Sequence, residues 1–161
     1  LKSFDPMEVR NSITITIGLK FAKSYGSTKL ITGDGADELF AGYHMYYRYV
    51  GDKEKLSEKL NKMWGIMAFS ANALGKHFGI EVKQPFLDPE FQKFAMNLDP
   101  RYNVQEERGE VWGKWILRKA YEDVLPPEVR WRDKNPIEVG SDTTIHPKYL
   151  AKKISDTKFA T

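Results

Sequence analysis

The chain has 161 residues, 41% hydrophobic and 29% charged, enough for one core and too apolar for a disordered segment. Its net charge of +3 is spread along the chain, which gives no reason to invoke nucleic acid or a membrane surface. Cysteine is absent, which removes disulfides, thiolate metal sites and a thiol nucleophile.

No apolar run approaches the roughly 18 residues of a membrane span, and no basic-then-apolar leader opens the sequence. A soluble, cytoplasmic protein is therefore expected. The first residue is Leu1 rather than Met, so the expectation is one domain or a part of a larger one.

In chain order, Asp5, Pro6 and Glu8 form a capping-box signature, and Val9, Ile13, Ile17 and Phe21 recur at helical spacing towards a Gly26 cap. "KLIT" (Lys29 to Thr32) is a short buried strand with no obvious strand partner, so the rest of a sheet is expected elsewhere. A second helix begins near Asp34 to Asp37 and runs to about Val50. Helix continues from Asp52 to about Phe78, with a stripe of Leu56, Leu60, Met63 and Met67 and a division at Gly65. Asp88 and Pro89 start a helix whose buried face is Phe91, Phe94, Ala95 and Leu98. Trp112 to Val124 is helical, and two prolines in "LPPEV" end it. "RWRDKNPIEVGSDTT" reads as an ordered loop, and a last short helix starts at Pro147. The result is a mostly helical α/β chain with one convincing strand.

The stretch "KLITGDGADELFAGY" places Asp34, Asp37 and Glu38 directly beyond that strand. In open α/β sheets ligands bind beyond the carboxyl ends of strands, and Gly33 and Gly35 allow close backbone approach. Carboxylates there suit a phosphate only with Mg²⁺ between them, and Asp37 is the natural ligand. Ordinary capping of a helix start explains the same residues equally well. An EF-hand loop fits worse, because its alternating acidic ligands are missing.

"TGDGADELFAGY" resembles the S-G-E-G-S-D-E-x-F-G-G-Y motif of glutamine-dependent asparagine synthetases and their β-lactam synthetase relatives, in the ATP pyrophosphatase superfamily. The likeness continues in order through "FDPMEVRNSITITIGLKFAKSYG", "GIEVKQPFLD" and "KWILRKAYEDVLPPEVRWRDKNP", from about Phe4 to about Gly140. It implies the carboxyl-terminal part of an adenine-nucleotide α-hydrolase-like domain over residues 1–161. It also implies an enzyme that uses ATP and Mg²⁺ to convert a carboxylate, aspartate first, into an acyl-adenylate that ammonia attacks. Thr32 and Gly33 would touch the nucleotide, Asp34 would assist adenylation and bind substrate, and Asp37 would bind magnesium. Tyr43 and Glu81 match positions that the lactam-forming relatives use for acid-base work, Lys134 the lysine that meets the phosphates and intermediate, and Arg10 and Asp88 substrate-binding positions. Without the likeness, Tyr43 belongs to an aromatic stripe of the kind that fills cores, Glu81 is an exposed strand charge, and Lys134 sits in a solvated basic loop with Arg130 and Arg132.

This sequence departs from the pattern at Thr32 and Ala36 for serines, Asp34 for glutamate, Ala41 for glycine, Gln84 for a small apolar residue and Ser70 for arginine. The phosphate loop S-G-G-x-D-S occurs nowhere in the 161 residues, and neither does a glutaminase domain. The expected partners are therefore an amino-terminal half carrying that loop, in the same longer chain or a separate subunit, and a glutaminase domain or subunit. Self-association as a homodimer through the edge of "KLIT" and the tyrosine-rich segment is the remaining partner expectation. Two other readings stand beside the amidating enzyme: a catalytically silent binding or regulatory module, and a β-lactam-synthetase-like relative with another substrate.

Overall fold

The computed structural model describes residues 6–145. The expected Asp5 cap and the helix from Pro147 lie outside them. In chain order the elements are α1 (Pro6–Ser24), β1 (Lys29–Ile31), α2 (Ala36–Leu39), α3 (Lys53–Ile66), α4 (Ala71–Phe78), β2 (Glu81–Lys83), α5 (Pro89–Met96), β3 (Val104–Glu107), β4 (Glu110–Gly113), α6 (Trp115–Ala120), α7 (Pro127–Arg130) and α8 (Ile137–Gly140). Short 3₁₀ turns lie at His44–Tyr49, Pro85–Leu87, Pro100–Tyr102 and Thr143–Ile145. The described chain is thus mostly helical with few strands. No helix among the described residues is long and apolar enough to cross a membrane.

Among the described residues two compact units divide the chain, the first from residues 6–30, 69–82 and 135–145, the second from 31–68 and 83–134. In the first, α1 packs against α4 and α8. Gly26 takes φ +74 after the helix, and Ser27 N–H donates to Ala22 C=O at 3.0 Å, which is the glycine cap expected there. The expected apolar stripe is not the buried one. Ile17 and Phe21 are 59% and 64% exposed, whereas Leu19 and Ser12 are buried. On the buried side Ser12 Oγ meets Ser70 Oγ at 2.9 Å, beside α4.

Contrary to expectation, "KLIT" has a partner within the chain, because β1 pairs with β2. Glu81 N–H donates to Thr28 C=O at 2.9 Å and Thr32 N–H to Lys83 C=O at 3.0 Å, advancing along both strands in the same sense as in a parallel pair. Glu-Val-Lys is too short and too charged to announce itself as a strand.

In the second unit the helix expected to reach Val50 stops at Leu39. Ala41 turns to φ +54 and Gly42 N–H donates to Asp37 C=O at 2.8 Å, closing the helix in one tight turn. The tyrosine segment continues as a 3₁₀ helix, and Tyr46 is buried in a core of Ala41, Leu56, Leu60 and Val104 flanked by Tyr43, Tyr47 and Tyr49. The core reading of that stripe therefore holds for Tyr46. α3 starts where Asp52 accepts from Lys55 N–H, and the expected division falls at Met67, two residues beyond Gly65. A second core of Leu39, Phe40 and Ala95 is packed by Trp64, Phe86, Phe91, Leu98, Ile116 and Leu117. Phe94, expected inside, is 58% exposed.

Trp112 does not begin a helix. It lies on β4, paired antiparallel with β3 in the register Val104↔Gly113 to Glu107↔Glu110. Arg108 and Gly109 form the two-residue connection at φ +59 and +78, the signs a type I′ hairpin needs. Arginine at the first turn position is an uncommon hairpin signal, and the charged flanks hide the alternation. Pro127 also starts α7, and the expected loop after it contains α8 and a 3₁₀ turn.

Candidate functional site

Beyond β1 the chain needs glycine, since Gly35 takes φ +89 and a Cβ there would lie 2.4 Å from Leu87 Cδ2. The acidic residues that follow do not cap α2, whose N-cap Gly35 has no side-chain bond. Asp37 instead meets two lysines brought from far along the chain. Lys114 Nζ lies 2.9 Å from Oδ1, and Lys134 Nζ donates to Oδ2 at 2.9 Å. The Asp37 carboxylate is 18% exposed, with Lys114 at 27% and Lys134 at 21%. Burial works to raise the Asp37 carboxyl, and the charge and contacts of Lys114 and then Lys134 outweigh it, leaving it below the usual carboxylate range.

Gly42 makes this cluster possible. A Cβ there would stand 1.8 Å from Asp37 Oδ1 and 2.5 Å from Lys114 Cε. Lys114 has φ +53 and its N–H donates to Phe40 C=O at 2.8 Å, so the end of β4 is tied to the end of α2. Lys134 is held by its own loop: Asp133 Oδ1 accepts from Lys134 N–H and contacts His44 Nε2, both at 2.8 Å. Arg118 braces the preceding turn, donating to Gly113 C=O at 2.9 Å and to the carbonyls of Arg130 and Arg132, with its guanidinium over Trp112 and Trp131. The basic loop is thus not uniformly solvated. Arg130 is buried and its Nη1 lies 2.7 Å from a Glu122 oxygen.

Tyr43 OH donates to Glu38 Oε1 at 2.5 Å, and Lys134 Nζ sits 5.5 Å from the Tyr43 ring centroid. Burial raises the Glu38 carboxyl, opposed by the bond from Tyr43. Burial and then Glu38 push the Tyr43 phenol far above its ordinary range. A phenol held neutral in this way serves as a donor.

Asp34 lies one turn earlier. Thr32 Oγ1 and Gln84 Nε2 both donate to its Oδ2, at 2.8 and 2.7 Å. Gly33, between Thr32 and Asp34, is exposed. Asp88 is exposed and caps α5 by accepting from Glu90 and Phe91 N–H at 3.0 Å. Arg10 and Glu81 belong to the other unit. Arg10 Nε is buried with no hydrogen-bond partner among the described residues, and Glu81 is exposed with Lys29 Nζ at 3.8 Å.

The structure therefore joins Asp37, Tyr43 and Lys134 with Glu38 and with Lys114 and Gly42, and separately places Thr32 and Gln84 on Asp34; sequence reasoning gave Lys114, Gly42 and Gln84 no site role. The signal for Lys114 was its place at the head of "KWILR"; nothing local indicated its left-handed backbone. No group of three His, Cys, Asp or Glu among the described residues forms a metal cage. Asp37 is one ionised carboxylate with a lysine on each oxygen, so a hard cation there would have to displace one of the two lysines.

The family model described as asparagine synthase matches residues 5–71 and 53–160. A glutamine-hydrolyzing asparagine synthetase of Zea mays is 30% identical over 148 residues, 87% of this chain and 25% of that protein. Those of Arabidopsis thaliana and Sandersonia aurantiaca are 31% identical over 87% of this chain, covering 25% and 28% of their own lengths. The chain thus spans about a quarter of the length of the curated relatives it matches.

Proposed function

The chain belongs to the asparagine synthase family, and on that premise we propose that it supplies the carboxyl-terminal part of an ATP-dependent amidating enzyme with an adenine-nucleotide α-hydrolase-like fold. The enzyme activates a carboxylate, most simply that of aspartate, by attack on the α-phosphate of ATP. Ammonia then displaces AMP, giving asparagine, with pyrophosphate released in the first step. The observation that carries the reading is the meeting of Lys134 with Asp37 across 97 residues, with Lys114 on the carboxylate's other oxygen.

Its chemistry follows from charge. A reaction that expels pyrophosphate needs positive charge preorganised where negative charge develops. Lys114 and Lys134 are two such charges, held ready by a carboxylate that keeps them apart from solvent and near each other. Asp37 would hold Mg²⁺ by giving up one of its two lysine contacts, and the ion when bound would neutralise charge on the departing pyrophosphate. Thr32 and Gly33, at the end of β1, would contact the nucleotide, and Asp34 would orient the acid. The phosphate loop comes from the partner half.

The test combines this chain with a phosphate-loop-bearing half and measures acid-dependent pyrophosphate release. Lys134→Ala is expected to lower the rate about 100- to 1000-fold while changing ATP binding little. Asp37→Asn is expected to shift the magnesium dependence; an unaltered dependence removes Asp37 from the metal site. Strong release by the 161-residue chain alone contradicts the need for the other half.

A further inference from the structure

Three positions at which this sequence departs from the family pattern, Thr32, Asp34 and Gln84, touch one another. Thr32 Oγ1 and Gln84 Nε2 converge on a single oxygen, Asp34 Oδ2, at 2.8 and 2.7 Å. Both donors are rigidly based, because Thr32 N–H donates to the carbonyl of Lys83, the residue before Gln84, at 3.0 Å. No described residue donates a hydrogen bond to Asp34 Oδ1. A carboxylate oxygen has about two acceptor positions, so Oδ2 is filled and Oδ1 is open.

We infer that Gln84 is a specificity-determining residue: with Thr32 it occupies Asp34 Oδ2 and leaves Oδ1 as the single acceptor for a primary ammonium group on the acid being activated. The inference rests on the reading that Asp34 faces that acid. A carboxylate repels the substrate's own carboxylates, so its attraction must come from a donor on the same molecule. An ammonium is a compact point donor that one oxygen satisfies. A guanidinium or amidinium gains most from two parallel bonds to both oxygens, and here Oδ2 is taken. The substrate class is therefore an amino acid with a free primary amine, and its amidino derivative is rejected. Gln84 acts through Asp34 and is a positioning residue.

The test measures adenylation by the assembled enzyme with L-aspartate and N-amidino-L-aspartate as probes. Wild type is expected to favour aspartate in kcat/KM. Gln84→Leu frees Oδ2 and is expected to move that preference about tenfold toward the amidino compound, mainly through KM, as befits loss of one hydrogen bond to a charged group. Thr32→Val should move it in the same direction, which guards against one variant misfolding. An unchanged preference, or an equal loss with both acids, overturns the inference. If the assembled enzyme adenylates neither acid, the amidation reading fails separately. The positioning is then decided on the chain itself by the side-chain amide signals of Gln84 in ¹⁵N spectra. A shift on Asp34→Ala supports the contact, and unmoved signals overturn it.

Discussion

Gly42→Ala tests whether Asp37 and its lysines form one packed unit. The added Cβ would sit 1.8 Å from Asp37 Oδ1, against the 3.0 Å below which such contacts essentially never occur, so the carboxylate must move by more than an ångström. The pair with Lys114, now at 2.9 Å, then opens to about 4 Å. With an effective dielectric of about 20 that loses about 1.6 kcal/mol, within the roughly 1–3 kcal/mol typical of overpacking. Restricting the unfolded chain at residue 42 returns about 0.5 kcal/mol. A net loss of about 1.1 kcal/mol is expected, which for a chain of this size lowers Tm by roughly 2–4 °C. Urea unfolding followed by tryptophan fluorescence measures it, in wild-type and Asp37→Ala backgrounds. Removing the carboxylate removes the nearest obstacle, so the same substitution should be markedly milder in the second background. A loss below about 0.5 kcal/mol, or an equal loss in both backgrounds, refutes the packed-unit argument.

Because the folded Asp37 carboxyl lies below its unfolded value, its contribution to stability is complete above about pH 4 and is lost as pH falls through the unfolded and then the folded value. Wild type should therefore lose more stability than Asp37→Asn between neutral pH and that acid window, and parallel curves for the two proteins would remove the effect. Ile17, Phe21 and Tyr25 lie at helical spacing, 59%, 64% and 74% exposed, and the Phe21 and Tyr25 rings are 4.8 Å apart. Ile17→Lys with Phe21→Glu should change the stability of the chain in urea unfolding by less than about 0.5 kcal/mol per site, and a larger loss would show that these side chains are packed.

Local signals were legible where they act within a turn of the backbone. Asp52 and Asp88 each begin a helix because their side chains accept from N–H groups two or three residues ahead, which needs no knowledge of the fold. Gly26 likewise ends α1 by its own freedom at positive φ. The turn after "KLIT" was recognisable as a candidate site, since the glycines and carboxylates that form it are contiguous. What the sequence could not supply was partnership at long range. The face that α1 buries depends on α4 and α8, and the strand status of Glu81 to Lys83 depends on β1. Lys134 looks like one more loop cation because its charge says nothing about where the loop returns. Only the fold brings it to Asp37, beside a Lys114 held in a backbone conformation that local preference disfavours, and burial there turns separate surface charges into one coupled cluster.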